Sequence, residues 1–401
     1  MTPASSHEHD LVVVGAGPAG AAAALGALKE DPSLRVLLLD RADFPRDKCC
    51  GDGIAPHVLD VLAPLGAADV VAGWRSLQHL TLSRGDRDVA GRMRRDVHVI
   101  PREVFDARLV ERAVERGAEL RRHRVSKVTT GRAGVQVDDL GAPVVVGADG
   151  VHSAVRGGIG LAPTGRRALA LRGYAPTPPG RRGLQVIRYG ERRQPSYAWS
   201  FDRGDGLSNV GYGELADDPG DKPSRALLLE QLEELLPGST AGGTAWRGHH
   251  LPLSGRRWTH PDGRVLLAGD AAGLVNPMTG EGIYYAVATG ALAGRAAARA
   301  LRAGEPYAAG AAYARDVRTL LARHLGHTWA ASHLSRHPAV VDAGIRAASR
   351  DQAVFDDLVE IGLGGGTITP RLGRGLVAGL VTDVAGRRTD RRADRRAATP
   401  T

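Results

Sequence analysis

Three glycines, Gly15, Gly17 and Gly20, and an aspartate twenty residues beyond the last of them, Asp40, are the first residues whose spacing could do chemistry. Glycines so placed allow a tight turn, a close backbone approach to a pyrophosphate and close packing of a helix on a strand. The helix that opens behind them, through Pro18 and Ala19, turns its partial positive charge toward the phosphates. A carboxylate at the end of the next strand can accept from ribose hydroxyls. Here the glycines follow an apolar run at 11–14 and precede helix formers at 21–29, the context in which this otherwise weak motif reads as dinucleotide binding. The plain alternative is a glycine turn with Asp40 at the surface.

Two later stretches have similar chemistry. Residues 144–150 read VVVGADG, a buried strand ending at Asp149, with Arg156 shortly after. Taken alone, this is equally a strand ending in a turn. Residues 264–283 read RVLLAGDAAGLVNPMTGEGI. A buried strand ends at Gly269 and Asp270, and a loop containing Pro277, Gly280, Gly282 and Ile283 leads into an Ala-rich helix expected over 281–301. Asp270 can accept from a ribose or ribityl hydroxyl, and the N–H groups opening that helix can face an anion.

The order of the three stretches resembles the glutathione-reductase-like FAD fold of aromatic hydroxylases, flavin halogenases and geranylgeranyl reductases. Finer motifs are similar to the geranylgeranyl reductase branch. These are the loop FPRDKCCGDGI at 44–54, NPMTGEGI at 276–283, and PSYAWSF at 195–201, which resembles a YxWxFP motif through Tyr197, Trp199 and Phe201. The chain departs from that motif at Asp202, where the family usually has Pro. The resemblance spans residues 8–330 and implies FAD as cofactor. It places the adenosine ribose on Asp40, the pyrophosphate on Arg102 and the ribityl chain on Asp270. Gly15, Gly17, Pro18, Ala19, Gly20, Arg41, Cys50, Gly51, Val125, Asp149, Gly269, Pro277, Gly280, Gly282 and Ile283 complete the expected cofactor contacts. A reduced flavin carries negative charge that the late helix end would favour. Cys50, Tyr197 and Trp199 are the expected catalytic residues. Cys50 would position or protonate substrate, although a bare cysteine is often a small buried hydrophobe. Tyr197 and Trp199 alternate on one strand face, a pattern that serves a core as well as a cavity wall.

The elements that must position these residues make an α/β chain with a discontinuous, Rossmann-type FAD-binding domain. Its expected segments are 8–78, 98–160 and 255–330. The first βαβ unit covers 11–39, with a right-handed crossover, and 102–116 form a helix with Val104, Leu109, Val110 and Ala113 on one face. Residues 79–97 and 161–254 form a mixed or antiparallel sheet domain for substrate, with short strands at 169–174, 183–189, 197–201 and 208–213 and one helix at 225–236. A helical region follows at 331–385, and a basic tail at 386–401, rich in arginine from Arg387 to Arg396, is expected to be disordered. Such a tail could also touch an anionic membrane surface.

Composition sets the outer limits. The 401 residues are 43% hydrophobic and 24% charged, a globular balance, and the formal charge is +9. The basic excess is mostly arginine interleaved with acidic residues, a solvated surface. Aromatics at 4% leave few platforms for single-stranded nucleic acid, so no nucleic-acid partner is expected. The two cysteines, Cys49 and Cys50, are neighbours and cannot staple a fold, which suits a reducing cytoplasm. No secretory leader and no spanning helix are expected; the histidines, His57, His249 and His250 among them, show no metal spacing, and His249 and His250 read as surface.

The resemblance implies a reductase that saturates C=C bonds of an isoprenoid chain by hydride transfer from reduced FAD. The rival readings are an FAD monooxygenase of a natural-product scaffold and a binding protein for FAD or prenyl lipid without turnover. A second glycine unit is missing, because residues 362–366 have the wrong spacing, so NAD(P)H or a ferredoxin would donate electrons transiently. A lipophilic substrate implies peripheral contact at the inner membrane face.

Overall fold

The computed structural model describes residues 7–162, 165–216 and 223–381. The expected basic tail at 386–401 lies outside them. The apolar run Leu11–Val14 is fully buried and forms the middle of a five-stranded parallel sheet. Its neighbours are Val36–Asp40 and Val144–Gly147, flanked in turn by Glu119–Arg122 and Val265–Leu267. Strands covered on both faces need no polar alternation, and VVV and LLL runs are what the sequence places there. Each expected motif loop leaves the carboxyl end of one of these strands: the glycine turn after Val14, Asp40 at the end of its strand, Asp149 after Gly147, and Gly269–Asp270 after Leu267. That edge is where open α/β sheets bind ligands.

Two helices seal one face of this sheet, Pro18–Glu30 behind the glycine turn and Ile283–Arg302 behind the late loop. They meet through Ala and Gly, with backbone against backbone. A Cβ at Gly294 would lie 1.9 Å from the carbonyl oxygen of Ala23 and 2.8 Å from the nitrogen of Ala27. On an isolated helix Gly→Ala would gain about 1 kcal/mol. Here no rotamer change relieves the contact, so Gly294→Ala is expected to destabilise the protein by about 1–3 kcal/mol or more. A lowered urea midpoint checks this; a raised one would show that the two helices can separate freely.

The second sheet has eight strands, in the order Thr244–Pro252, Arg167–Pro176, Leu207–Leu215, Tyr197–Asp202, Leu184–Tyr189, Ser76–Arg84, Arg87–Val99 and Gly53–Ile54. All pairs are antiparallel except the parallel pair Leu184–Tyr189 with Ser76–Arg84. One face packs on the helix Arg225–Leu235. Much of the other is covered by the helices Pro338–Arg350 and Gln352–Leu363 and by helical residues 370–381. A small antiparallel sheet, Val128–Thr130, Val135–Val137 and Leu140–Ala142, lies beside the parallel sheet.

Some elements differ from the sequence expectation. The late helix starts at Ile283, not 281, so Glu281 belongs to the loop and its carboxylate accepts the N–H of Tyr284 at 2.9 Å. The edge strands Glu119–Arg122 and Thr244–Pro252 were not anticipated. Glu119–Arg122 is largely exposed, Thr244–Pro252 is exposed mainly in its first half, and neither has an apolar period; an edge strand needs only one paired side. Asp202, in place of Pro, closes its strand by accepting from Thr177 Oγ1 and from the backbone N–H of Gly204, at 3.2 and 3.1 Å.

Candidate functional site

A single cavity of about 1130 Å³ runs from the carboxyl edge of the parallel sheet to the helices that cover the mixed sheet. It exceeds the upper end, roughly 1000 Å³, of the range usual for one small-molecule pocket. Its two ends differ in chemistry. One is polar and glycine-lined, and the other is walled by aliphatic side chains.

At the polar end, the backbone turns at Gly15 with φ +94°, where a Cβ would strike the backbone of Ala148 at 2.4 Å. Asp40 is buried and accepts the N–H of Ala16 at 2.9 Å and that of Ala42 at 3.0 Å. Two guanidiniums face the turn: a Cβ at Gly17 would sit 3.5 Å from Nη2 of Arg46 and 3.8 Å from Nη2 of Arg102. Arg102 is buried on the first turn of the helix Arg102–Glu115 and grips the wholly buried Asp106 through two bonds, Nε at 2.6 Å and Nη2 at 2.8 Å. Arg46 bridges Asp106 at 3.1 Å and Asp40 at 3.4 Å. The result is a charge-balanced network with its donors aimed at the glycine turn, an arrangement that can receive a pyrophosphate.

Of the expected cofactor residues, Gly15, Gly17, Pro18, Ala19, Asp40, Arg41, Cys50, Gly51, Arg102, Val125, Asp149, Asp270, Pro277, Gly280, Gly282 and Ile283 line this cavity. Gly20 and Gly269 do not. Both sit behind it as close-packing positions, Gly20 against the carbonyl of Gly15 and Gly269 against Ala286. Asp270 pairs with Lys48 at 3.6 Å. Arg156 is turned away from the cavity, donating to the carbonyls of Ala271 and Val151.

The expected catalytic residues Cys50, Tyr197 and Trp199 all line the same cavity, where its polar and apolar parts meet. Burial pushes the Cys50 thiol above its ordinary range, opposed by Arg102; it is a thiol at neutral pH, not a thiolate nucleophile. Cys49 is pushed up to about 12 by burial and donates to the carbonyl of Arg247 at 3.0 Å. Tyr189, Tyr197, Trp199 and Phe201 form a strip of rings with successive centroids 6.1, 5.9 and 6.5 Å apart.

This strip holds the motif loops in place. Trp199 Nε1 donates to Asn209 Oδ1 at 2.8 Å, and Asn209 Nδ2 donates to the carbonyl of Cys50 and to Asp52 Oδ2, both at 2.8 Å. Tyr174 donates to the same Asp52 oxygen at 2.6 Å. Burial raises Asp52 to about 6, with the Tyr174 bond opposing. Tyr197 donates its hydroxyl to the carbonyl of Thr279. Thus the polar atoms of Tyr197 and Trp199 clamp the loops at 50–52 and 276–283, and their rings form wall.

Three contributors were not foreseen. His249 is not a surface residue: it lines the cavity, and burial, helped by Lys48, lowers it to about 4, leaving it neutral. Glu281 lies in the loop between the two ends. The helical region after 330, read from sequence only as helix, supplies the apolar wall through Val341, Ile345, Leu358, Val359, Ile368 and Leu376. Their helical spacing, Val341 to Ile345 and Leu372 to Leu376, was the available signal. Among the described residues no group of acidic, His or Cys side chains could hold a metal ion, and no helix is long and apolar enough to cross a membrane.

Comparison with known proteins agrees with this geometry. A family model described as FAD binding domain matches residues 8–316. The chain is 34% identical over 313 residues to a menaquinone reductase of Mycolicibacterium smegmatis, covering 71% of this chain and 75% of that protein. It is 33% identical over 326 residues to digeranylgeranylglycerophospholipid reductase 1 of Methanopyrus kandleri, covering 73% and 81%. In fold it is similar to a geranylgeranyl bacteriochlorophyll reductase-like protein of Thermoplasma acidophilum, with a TM-score of 0.74 at 20% identity over 88% of this chain and 96% of that one.

Proposed function

Because the chain belongs to the family built on this FAD-binding domain, we propose that it is an FAD-dependent reductase that saturates C=C bonds in the isoprenoid chain of a prenyl lipid. The observation that carries this reading is the continuity of the cavity: a dinucleotide-binding crevice opens directly into an aliphatic chamber. An aromatic hydroxylation substrate would call for a compact pocket of ordinary size. A prenyl chain calls for a long apolar one. The names of the sequence relatives, which act on menaquinone and on geranylgeranyl lipids, support the same substrate class.

When bound and reduced, FAD supplies a hydride and its electron pair. In this assignment the glycine turn, Asp40, Arg41 and Arg102 hold the adenosine diphosphate half, with Val125 beside it. Asp149, Asp270 and the loop from Pro277 to Ile283 hold the remainder, and Cys50 and Gly51 flank the reacting region. Tyr197 and Trp199 fix the two loops and orient the chain. The aliphatic wall excludes water, which keeps the reduced cofactor from side reactions. We assign residues 8–78, 98–160 and 255–330 to cofactor binding, residues 79–97 and 161–254 to substrate, and the helices beyond 330 to the chamber wall. NAD(P)H or a ferredoxin is the proposed transient donor, and peripheral contact with a membrane the proposed route to substrate.

The test is anaerobic. The reduced holoprotein should be reoxidised by a prenyl lipid without oxygen; stoichiometric oxygen uptake with hydroxylated product would replace this reading with a monooxygenase.

A further inference from the structure

Saturating one C=C bond takes a hydride at one carbon and a proton at the other. The hydride has a source in the reading above, on which this inference rests; the proton needs one in the protein. We infer that Glu281 is the acid that protonates the substrate carbon.

Its position argues first. The loop that carries Glu281 reaches both ends of the cavity. On the cofactor side, a Cβ at Gly282 would lie 3.7 Å from Asp270 Oδ1; on the chamber side, one at Gly280 would lie 3.7 Å from the Tyr197 hydroxyl. The loop is pinned beyond that by Asn276 Nδ2 and Thr279 Oγ1, which donate to the carbonyls of Ile361 and Gly362, both at 2.9 Å. Glu281 itself lines the cavity and is partly exposed.

The surroundings argue second. The groups near its carboxyl are His57 and Arg102, which favour its charge, and Cys50, Tyr197 and Tyr285, which interact with it electrostatically. His57 is committed to Glu360, Nε2 to Oε2 at 3.0 Å. Burial outweighs the Ile283 and Tyr284 N–H groups, His57 and Arg102, and raises Glu281 to about 7. A carboxylic acid poised there can give up a proton at neutral pH.

The other acids in reach are weaker or engaged: burial holds the Cys50 thiol above its ordinary range and raises Tyr189 to about 12. The Tyr197 hydroxyl donates to Thr279. Asp52 is wholly buried, with Oδ2 taken by Tyr174 and Asn209. Glu214 is bonded to Tyr212 at 3.0 Å and Arg192 at 3.1 Å.

In the step, the π bond breaks and one carbon gains the hydride with its electron pair from the reduced cofactor, which is left oxidised. The second carbon takes the proton as the O–H bond of Glu281 breaks to leave a carboxylate, which solvent reprotonates before the next turnover.

The experiment has two readouts on the flavin-loaded protein. The first is infrared titration of the resting protein without substrate. A protonated-carboxyl C=O band with a midpoint of about 7 is expected in the wild type, absent in Glu281→Gln and retained in Asp52→Asn. The second is the single-turnover rate of reduced protein with a prenyl lipid. This should fall about 100-fold or more in Glu281→Gln, and in the wild type it should decline as pH rises through about 7, because only the protonated form is competent. Absence of a band that Glu281→Gln removes, or a Glu281→Gln protein as fast as wild type, overturns the assignment alone. A wild type that no prenyl lipid reoxidises overturns the reductase reading and this inference with it.

Discussion

Arg102→Met is expected to lower stability by about 3–5 kcal/mol and to strip the protein of flavin. The physical cause is the charge left behind. Asp106 is wholly buried, and Arg102 gives it both of its shortest bonds. Without Arg102, only Arg46 at 3.1 Å compensates a carboxylate that has no access to water. The double change Arg102→Met with Asp106→Leu removes the orphaned charge together with its partner, and such replacements are often neutral or stabilising. It should therefore recover most of the stability. It should not recover flavin, because the guanidinium facing the glycine turn is still missing. Urea unfolding and the flavin-to-protein ratio together separate the two roles. A double variant that regains flavin would show that Arg102 serves only the fold.

Filling the chamber should divide substrate from cofactor in the opposite sense. Leu358 lies on the helix Gln352–Leu363, is partly buried, and faces the cavity away from the glycine turn. Leu358→Trp projects an indole into space the chain would occupy. Because it grows into a cavity and not into packed core, the overpacking cost should stay near the low end of about 1–3 kcal/mol. Each displaced methylene contact is worth about 1–3 kcal/mol in discrimination. The single-turnover rate with long prenyl chains should thus fall about 100-fold while short chains lose far less. Flavin content should be unchanged. An equal loss for all chain lengths would place the substrate elsewhere.

How much of this could be read from the sequence depended on how local each feature is. The glycine turn, Asp40, Asp149 and Gly269–Asp270 were legible because each follows a buried strand directly, and one sheet edge then gathers them. The interplay of Tyr197, Trp199 and Phe201 was legible as strand alternation, but not that Trp199 reaches Cys50 through Asn209, which depends on strand pairing at Phe201 and Asn209. His249 was misplaced because its strand is a polar edge whose inner face is decided by its neighbour Arg167–Pro176. Glu281 was read as helix because it directly precedes the Ala-rich helix, which in fact begins at Ile283, and its raised pKa comes from burial by segments far away in sequence. The chamber wall was invisible for the same reason: amphipathic helices announce an apolar face, not what that face encloses.

On the proposed reading, one cavity brings a reduced cofactor and a prenyl chain together. The most direct measurement is to reduce the purified, flavin-loaded protein under strict anaerobiosis, add a geranylgeranyl lipid that carries no quinone ring, and follow flavin absorbance while analysing the lipid. The flavin should reoxidise without oxygen, and the lipid product should carry two more hydrogens per C=C bond reduced. Flavin that stays reduced until air is admitted, with oxygen then found in the product, would contradict it.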